Sequence, residues 1–522
     1  MEAVRIKDLT FTYPGADLPA LEGISLSLEE GKILCILGPT GCGKTTLLKN
    51  LKPIVRPHGE IRGSVEIFMS EVGALSQREQ AAGIGYVTQN PDNQIVTDKV
   101  WHELAFGLEN LGTEPETIRR KVAEIAGFFG IESWYENMTS ELSGGQKQLL
   151  NLAAAMVSSP RLLLLDEPTA QLDPVAAADF LAAVRRVNLE LGTTIILTEH
   201  RTDEVVSLAD KVCIMKDGKI AAHGSARDIA GKAVEGERLS DKVSLLDIMP
   251  QPLQAYANCE DGAGEGKLPL DVPSGRRWLS GIIEAKKLAE LGPKILPEDA
   301  EVKEDGAAKE SAVEVKKAWY RYDKNRSDVL KGVNLKVSKG EVFALLGGNG
   351  AGKTTLLNLL CGNAKAYRGK VNVKGSIAML PQDPQTLFLN DTAGGEFGER
   401  HPYDLSGGEQ QRLALEIVFS ADADIYLLDE PTKGLDPYYK KNLIEQIRKL
   451  NDEDKTIIIV SHDMTFCARV ADKCAMLFRG ETVSEEAARK FFAENMYYTT
   501  PVGRMSRGLI EGALLPEDIG NR

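Results

Sequence analysis

The sequence predicts an α/β protein in which one domain occurs twice. Short apolar runs such as ILCILG, LLLLD and TTIILT alternate with helical stretches, a pattern typical of a buried sheet between helical layers. The segment that begins at Ile6 recurs from Val315 without a gap, so that Lys44 and Lys353 lie 309 positions apart. Because later landmarks recur in the same order, a whole domain has been duplicated.

The repeat divides the chain into three parts. We expect a first domain over 1–240, an acidic flexible linker over 241–311 and a second domain over 312–522. The linker is rich in Gly, Pro and charged residues, and RRWLSGIIEAKKLAEL predicts a short helix within it. Near the start of the first domain, FTY and ISLSLEE indicate antiparallel strands that flank the α/β core.

Composition excludes several classes of protein. The 522 residues suit two to four domains, and the net charge of −14 argues against a surface that binds nucleic acid or a polybasic membrane binder. The sequence has no apolar run of about 18 residues and no apolar signal core at its start, so we expect neither a membrane span nor secretion. Seven scattered cysteines without CxxC spacing suggest reduced thiols.

Two glycine-rich loops have the pattern GxxxxGK[ST], and each follows an apolar strand and precedes a helix. The glycines let backbone N–H groups face phosphate oxygens, and the helix start adds its positive dipole end. Lys44 and Lys353 would reach the β- and γ-phosphates of ATP, and Thr45 and Thr354 would offer hydroxyls to Mg²⁺. The predicted loop residues are Gly38, Pro39, Thr40, Gly41, Cys42, Gly43, Lys44, Thr45 and Thr46, then Gly347, Gly348, Asn349, Gly350, Ala351, Gly352, Lys353, Thr354 and Thr355.

A pair of carboxylates ends an apolar run in each half. Asp166 and Asp429 are placed to hold the water shell of the Mg²⁺ ion beside the loop. Glu167 and Glu430 follow directly and are placed to polarise the attacking water as general bases. Since the Asp-Glu-Pro-Thr sequence recurs in both halves, we predict two sites that hydrolyse ATP.

Further motifs resemble those of the ATP-binding-cassette (ABC) ATPases. They are LSGGQ at 142–146, LSGGE at 405–409, the DEPT segments, AQLD and KGLD, and the histidines of TEH and VSH. The resemblance covers nearly the whole chain outside the linker. It implies that two P-loop cassettes, each with an antiparallel β subdomain and a helical subdomain, close head-to-tail. Each ATP would lie between the loop of one half and the LSGG signature of the other.

The resemblance also assigns roles to residues outside the two loops. The signatures would bind the γ-phosphate, glutamines would contact Mg²⁺ and the attacking water, and histidines would act as catalytic switches. Aspartates would lie at the cassette interface, and tyrosines would stack on adenine. The signature residues are Ser143, Gly144, Gly145, Gln146, Ser406, Gly407, Gly408 and Glu409. The glutamines are Gln89 and Gln382, and the switch histidines are His200 and His462. The interface aspartates are Asp173 and Asp436, and the adenine-stacking tyrosines are Tyr13 and Tyr322.

Within this family, the sequence is most similar to the double ATPase of energy-coupling-factor (ECF) importers. The similarity lies in QNPDNQIVTDKVWHELAFGLENLG, QDPQTLF and FCARVADKCAMLF. It implies an integral membrane partner, a small substrate-binding membrane subunit, no nucleic acid, and a place on the cytoplasmic face of the membrane. The alternatives are the tandem ATPase of a sugar importer and a soluble ABC factor acting on the ribosome. The acidic linker and the two histidines argue against the ribosomal factor, and the substrate stays open.

The second half departs from the family in one respect. Gln89 and Ser143 are 54 positions apart, whereas Gln382 and Ser406 are only 24 apart. Such a short segment cannot form several packed helices at about 1.5 Å per residue, so we expect a truncated helical subdomain. In the first half, one helical face carries apolar residues that would form either a docking surface or subdomain core: Val100, Trp101, Leu104, Ala105 and Leu108.

Overall fold

A computed structural model describes residues 1–239, 243–259, 267–286, 310–324 and 326–519. The chain separates into two compact units, Met1–Met249 and Pro250–Arg522. Among the helices within the described ranges, none is long and apolar enough to cross a membrane.

The first unit contains two sheets. Its strands are β1 (Glu2–Thr12), β2 (Leu21–Glu29), β3 (Ile33–Leu37), β4 (Glu60–Ile67), β5 (Ser70–Glu71), β6 (Ile84–Val87), β7 (Leu162–Asp166), β8 (Thr194–Thr198), β9 (Lys211–Lys216) and β10 (Lys219–Ser225). The order β2-β1-β4-β5 forms the predicted antiparallel sheet, and β10-β9-β3-β8-β7-β6 forms the core sheet. Within the core sheet β6, β7, β8, β3 and β9 run parallel, so their carboxyl ends meet at one edge.

Helices cover the core sheet because β3, β7 and β8 are apolar and buried along their whole length. The helices of this unit are α1 (Lys44–Asn50), α2 (Gln77–Gly83), α3 (Val100–Asn110), α4 (Pro115–Phe129), α5 (Gly144–Met156), α6 (Pro174–Leu191), α7 (Thr202–Val205) and α8 (Ala226–Val234). The helix α3 packs against α4 and α5 and forms the helical subdomain.

The apolar face of α3 is mostly subdomain core. Val100, Leu104, Ala105 and Leu108 are buried, whereas Trp101 is 38% exposed and its ring stacks on His102. Docking at this face is therefore limited to Trp101, because the other four side chains fill the space between the helices.

The second unit repeats this architecture. Its strands are β11 (Ser311–Tyr320), β12 (Leu330–Ser338), β13 (Val342–Leu346), β14 (Arg368–Val373), β15 (Ile377–Leu380), β16 (Ile425–Asp429), β17 (Thr456–Val460), β18 (Lys473–Phe478) and β19 (Glu481–Ala487). The antiparallel sheet has the order β12-β11-β14 and the core sheet the order β15-β16-β17-β13-β18-β19. The predicted α/β class with two tandem P-loop domains is confirmed.

The helical subdomain of the second unit is truncated, as predicted. The helices of the unit are α9 (Gln251–Ala257), α10 (Val272–Lys286), α11 (Lys353–Leu360), α12 (Gly407–Ser420), α13 (Pro437–Asp452), α14 (Met464–Val470), α15 (Ala488–Glu494) and α16 (Pro501–Ser506). The backbone is described throughout the segment between β15 and α12, and it makes three short 3-10 turns there without an α-helix. A small cluster of Phe397, Leu405 and Leu413 closes this segment.

The helix α10 overlaps the short helix that RRWLSGIIEAKKLAEL predicts, whereas the expectation of an otherwise flexible linker over 241–311 is wrong for α9 and for the packing of both helices. These helices pack against each other and against α16, and their apolar side chains share one core with the C-terminal segment. The physical reason is that Leu279 and its neighbours at helical spacing find a partner in Val502 and Met505, far away in the sequence. Three parts of the predicted linker, 241–242, 260–266 and 287–309, lie outside the described residues.

Replacing Leu279 with Ala tests whether this segment is folded. Leu279 is 1% exposed, so the substitution should lower the free energy of unfolding of the second unit by about 2–5 kcal/mol. Urea unfolding of the full chain measures the loss, with hydrogen exchange at the α10 amides as the local probe. The exposed Glu284→Ala on the same helix is the control and should change nothing. If both variants unfolded with the same free energy as the unsubstituted chain, the segment would be a flexible linker after all.

Candidate functional site

The loop from Gly38 to Thr45 joins the end of β3 to α1 at the carboxyl edge of the core sheet. Its glycines take left-handed φ values of 151° at Gly38, 80° at Gly41 and 100° at Gly43. A Cβ atom at Gly38 would lie 2.3 Å from the Met215 carbonyl oxygen. The loop can therefore keep this tight course only with glycine, which leaves its backbone close to any bound phosphate.

A matched pair of substitutions separates the two causes of this glycine requirement. Gly41→Ala should cost about 1–2 kcal/mol of stability, because only the positive φ opposes it and its Cβ has open space. Gly43→Ala should cost more, about 2–5 kcal/mol, since its Cβ would also lie 2.6 Å from the Ala20 carbonyl oxygen. Thermal unfolding together with ATP affinity measures both losses. Equal losses for the two variants would contradict the packing argument.

A buried lysine spans each loop. Lys44 is 5% exposed, and its Nζ donates to the carbonyl oxygens of Gly38 at 2.9 Å and Pro39 at 3.1 Å. Lys353 Nζ makes the equivalent bonds to Gly347 at 2.8 Å and Gly348 at 3.0 Å. In both units the ammonium group is thus held by loop carbonyls, which an anionic ligand can replace.

The carboxylate at the end of β7 accepts three hydrogen bonds. Thr45 Oγ1 donates to Asp166 Oδ1 at 2.9 Å, Thr198 Oγ1 donates to the same atom at 3.0 Å, and Tyr86 donates to Oδ2 at 3.1 Å. Burial and the charge of Glu167 raise the pKa of Asp166, while these donors lower it. Burial also raises the pKa of Tyr86, so the phenol stays protonated as a donor.

The second unit has fewer donors at this position. Thr354 hydrogen bonds to Asp429, and burial raises the pKa of Asp429 against the lowering effect of Thr354, Lys353 and Lys433. The Oδ2 atom of Asp429 is buried and has no hydrogen-bond partner among the described residues. The sequence analysis does not identify Tyr86 and Thr198 as hydrogen-bond donors to Asp166. Their positions near the ends of predicted strands were the one signal that could have indicated this role.

Glu167 stands at the centre of the first site. Its φ of 46° is left-handed and strained, which turns its side chain away from the strand direction. Gln89 Nε2 donates to its Oε2 at 3.0 Å, His200 Nε2 lies 2.9 Å from Oε1, and Lys44 Nζ lies 3.8 Å from Oε1. Burial alone would raise the pKa of Glu167, but His200 and Lys44 together outweigh it and lower the pKa to about 2. The carboxylate is therefore ionised and able to accept a proton from water.

Glu430 repeats this conformation with looser contacts. Its φ is 51°, and His462 Nε2 lies 3.4 Å from Glu430 Oε1 and 3.1 Å from Asn349 Oδ1. Gln382, the counterpart of Gln89, is exposed. The two sites thus share their residues but differ in how tightly those residues are joined.

The signature serines begin helices. Ser143 Oγ accepts from Gln146 N at 3.3 Å at the start of α5, and Ser406 Oγ accepts from Glu409 N at 3.4 Å at the start of α12. The reciprocal bonds, from Ser143 N to Gln146 and from Ser406 N to Glu409, complete a capping box in each unit. Both signatures therefore have a defined conformation.

The predicted interface aspartates and adenine-stacking tyrosines also have local partners. Asp173 caps α6 and Asp436 caps α13. Tyr13 and Tyr322 lie beside the loops, since their hydroxyls are 3.0 and 2.9 Å from the hydroxyls of Thr46 and Thr355. Capping is a structural role for the aspartates, and their place at a cassette interface stays a prediction.

Comparison with known proteins decides the family. The family model described as ABC transporter matches residues 21–170 and 330–394, and a model described as an AAA domain matches 392–468. A relative from Bacillus anthracis, which carries the name of an ABC transporter ATP-binding protein, is 37% identical over 98% of this chain and 97% of its own. The chain belongs to the ABC transporter ATP-binding proteins. A relative with the same name from Methanosarcina acetivorans is 34% identical over 93% of this chain and 85% of its own.

This ABC ATPase is also similar to solved structures. The archaeal ribosome recycling factor aABCE1, in complex with ribosomal stalk protein aP1, matches with a TM-score of 0.56 and 21% identity over 93% of this chain and 91% of that one. That likeness shows the fold alone. A second structure, cbiO1 from Clostridium perfringens, part of the ABC transporter complex cbiONQ, is 31% identical over 44% of this chain and 91% of its own, with a TM-score of 0.41.

Within the first unit of this ABC ATPase, the structure brings six predicted residues together: Lys44, Thr45, Gln89, Asp166, Glu167 and His200. Membership of the family makes the chain an ATPase. Which residues bind ATP and which act in hydrolysis stays a prediction at the level of single side chains.

Proposed function

We propose that this ABC ATPase energises an ECF-type importer of a vitamin, vitamin precursor or metal ion. The sequence after Gln89, QNPDNQIVTDKVWHELAFGLENLG, carries this proposal because it resembles the ECF ATPases. The protein would work on the cytoplasmic face of the membrane, attached through its membrane subunits. The first alternative is the tandem ATPase of a sugar importer. The second, from another functional class, is a soluble ABC factor that acts on the ribosome.

A cavity in the first unit supports docking of a membrane subunit. It has a volume of about 730 Å³ and lies between β6 and the helices α2, α3 and α5. Phe106, Leu111 and Ile54 give it an apolar lining, and Lys52 is half-buried beside them. Burial lowers the pKa of Lys52 to about 8. An amphipathic cytosolic helix of a partner would bury its apolar face here.

Mg²⁺ fits the residues of the first site. The hydroxyl of Thr45 and the carboxylate of Asp166 are hard oxygen ligands 2.9 Å apart, and Gln89 adds an amide oxygen nearby. Within the described residues, no group of three or more His, Cys, Asp or Glu could hold a metal. We assign Thr45, Gln89 and Asp166, with Thr354, Gln382 and Asp429 in the second unit, as ligands that complete a shell begun by ATP phosphates. Bound there, Mg²⁺ would neutralise phosphate charge.

The protein groups would then divide the work of hydrolysis. Lys44 and Lys353 exchange their loop carbonyls for phosphate oxygens. Glu167, already ionised, accepts a proton from the attacking water, and His200 holds the Glu167 carboxylate in place. Ser143 and Ser406 would meet the γ-phosphate held by the opposite half, so that two ATP molecules are enclosed between the halves.

Purification from native membranes in mild detergent tests the proposed partners. Small hydrophobic membrane proteins should copurify with the unsubstituted chain and be lost from Phe106→Glu, which places a charge in the cavity. Leu18→Glu is the control, because Leu18 is 79% exposed and does not line the cavity. Ribosomal proteins in place of membrane proteins would overturn the proposal in favour of the ribosomal factor.

A further inference from the structure

The two carboxylates assigned to Mg²⁺ occupy equivalent positions with different neighbours. In the first unit, Tyr86 of β6 pairs with Leu164, two residues before Asp166. In the second unit, Met379 of β15 pairs with Leu427, two residues before Asp429. Met379 therefore occupies the place of Tyr86. By the same comparison of register, Val460 takes the place of Thr198.

These exchanges remove two hydrogen-bond donors from the second site. Asp166 accepts from Thr45, Thr198 and Tyr86, whereas neither Met379 nor Val460 has a side-chain group that can donate to Asp429. The result is visible in the structure, since Asp429 is 2% exposed and no described part of the chain gives its Oδ2 atom a hydrogen-bond partner. A buried carboxylate oxygen without a partner has lost its hydration without a compensating hydrogen bond, which is unfavourable.

We propose that Tyr86 sets the divalent-cation affinity of the first site by occupying one oxygen of Asp166, and that Met379 leaves Asp429 free to attract a cation more strongly. Tyr86 is a positioning residue in this account, because it acts through Asp166. The inference rests on the assignment of Asp166 and Asp429 to the Mg²⁺ of bound Mg·ATP.

Other charges also act on the two carboxylates. Glu167 acts on Asp166, and Lys353 and Lys433 act on Asp429. Lys433 has no charged counterpart in the first unit, where Ala170 stands at the equivalent position of AQLD. The positive charge of Lys433 opposes metal binding at the second site. The cation affinity of each variant is therefore compared with that of the same unit without the substitution, and the two units are not compared with each other.

Mn²⁺ with a non-hydrolysable ATP analogue is the probe. Electron paramagnetic resonance gives the dissociation constant of bound Mn²⁺ at one fixed pH for all variants. Lys353→Ala weakens nucleotide binding at the second site, so Mn²⁺ binding in this background is measured at the first site. Lys44→Ala is used in the same way to measure the second site. Tyr86→Phe should tighten Mn²⁺ binding at the first site about three- to tenfold, and Met379→Tyr should weaken it at the second site by a similar factor. Met379→Leu is the matched control and should leave the constant unchanged.

Three outcomes decide the matter. Opposite shifts in Tyr86→Phe and Met379→Tyr support the inference. Unchanged Mn²⁺ affinity in folded variants, or tighter binding in Met379→Tyr, overturns it while the proposed nucleotide sites stand. If neither unsubstituted site binds Mn²⁺ with the nucleotide, the proposed function itself fails. Should Tyr86→Phe not fold, Met379→Tyr alone carries the test.

Discussion

Replacing Glu167 and Glu430 with Gln together is expected to lower ATP turnover by about 10²–10⁴-fold. The amide cannot accept the proton of the attacking water, while it keeps the size of the carboxylate and much of its hydrogen bonding. Each single substitution should also lower turnover, since both units have the glutamate in the same left-handed conformation beside a histidine. Steady-state phosphate release measures the effect.

Glu190→Gln is the control for this prediction, because Glu190 is an exposed residue of α6 that pairs with Arg186 four residues before it. Its turnover should equal that of the unsubstituted chain. If Glu430→Gln leaves turnover unchanged while Glu167→Gln abolishes it, the prediction of two hydrolytic sites is wrong.

The same glutamate gives a pH dependence of stability. The folded pKa of Glu167 is about 2, against an ordinary value of 4.5. The interactions of the Glu167 carboxylate with His200 and Lys44 therefore stabilise the fold above pH 4.5, and this contribution is lost as the pH falls towards 2. Acid unfolding of Glu167→Gln should lack that part of the pH dependence.

Replacing Lys44 or Lys353 with Ala is expected to weaken ATP binding at the affected site by about 10–100-fold. A hydrogen bond to a charged group contributes about 1.5–3 kcal/mol, and each 1.4 kcal/mol corresponds to a factor of ten in affinity. Both ammonium groups are buried and already aligned by two loop carbonyls, so little ordering is needed on binding. Equilibrium titration with a fluorescent ATP analogue measures the affinity.

Lys49→Ala provides the matched control, since Lys49 lies on α1 but outside the loop. It should bind the nucleotide as the unsubstituted chain does. Unchanged affinity in Lys44→Ala would mean that the loop does not hold the phosphates.

The parts of the site that follow strand ends could be predicted from sequence. Lys44, Asp166 and Glu167 stand in short motifs directly after apolar runs, and parallel strands bring their carboxyl ends to one edge. The truncation of the helical subdomain before Ser406 could also be predicted. The short spacing between Gln382 and Ser406 limits how many helical turns the segment can hold.

Other features depend on contacts that a linear pattern does not carry. Tyr86 and Thr198 reach Asp166 from two neighbouring strands, 80 and 32 positions away in the sequence. The apolar side of α10 packs against α9 and α16, and α16 lies more than 200 positions later in the sequence. The acidic stretches around this helix dominate the composition, so the sequence predicts only a short helix within an otherwise flexible segment and not the packing of that helix.

The number of ATP molecules held per chain tests the central claim most directly. The Glu167→Gln/Glu430→Gln double variant should retain two ATP molecules per single polypeptide after rapid gel filtration, with light scattering to give the mass of the complex. One ATP or none per chain, or two only in particles of two chains, would contradict a tandem ATPase that forms both of its sites within one polypeptide.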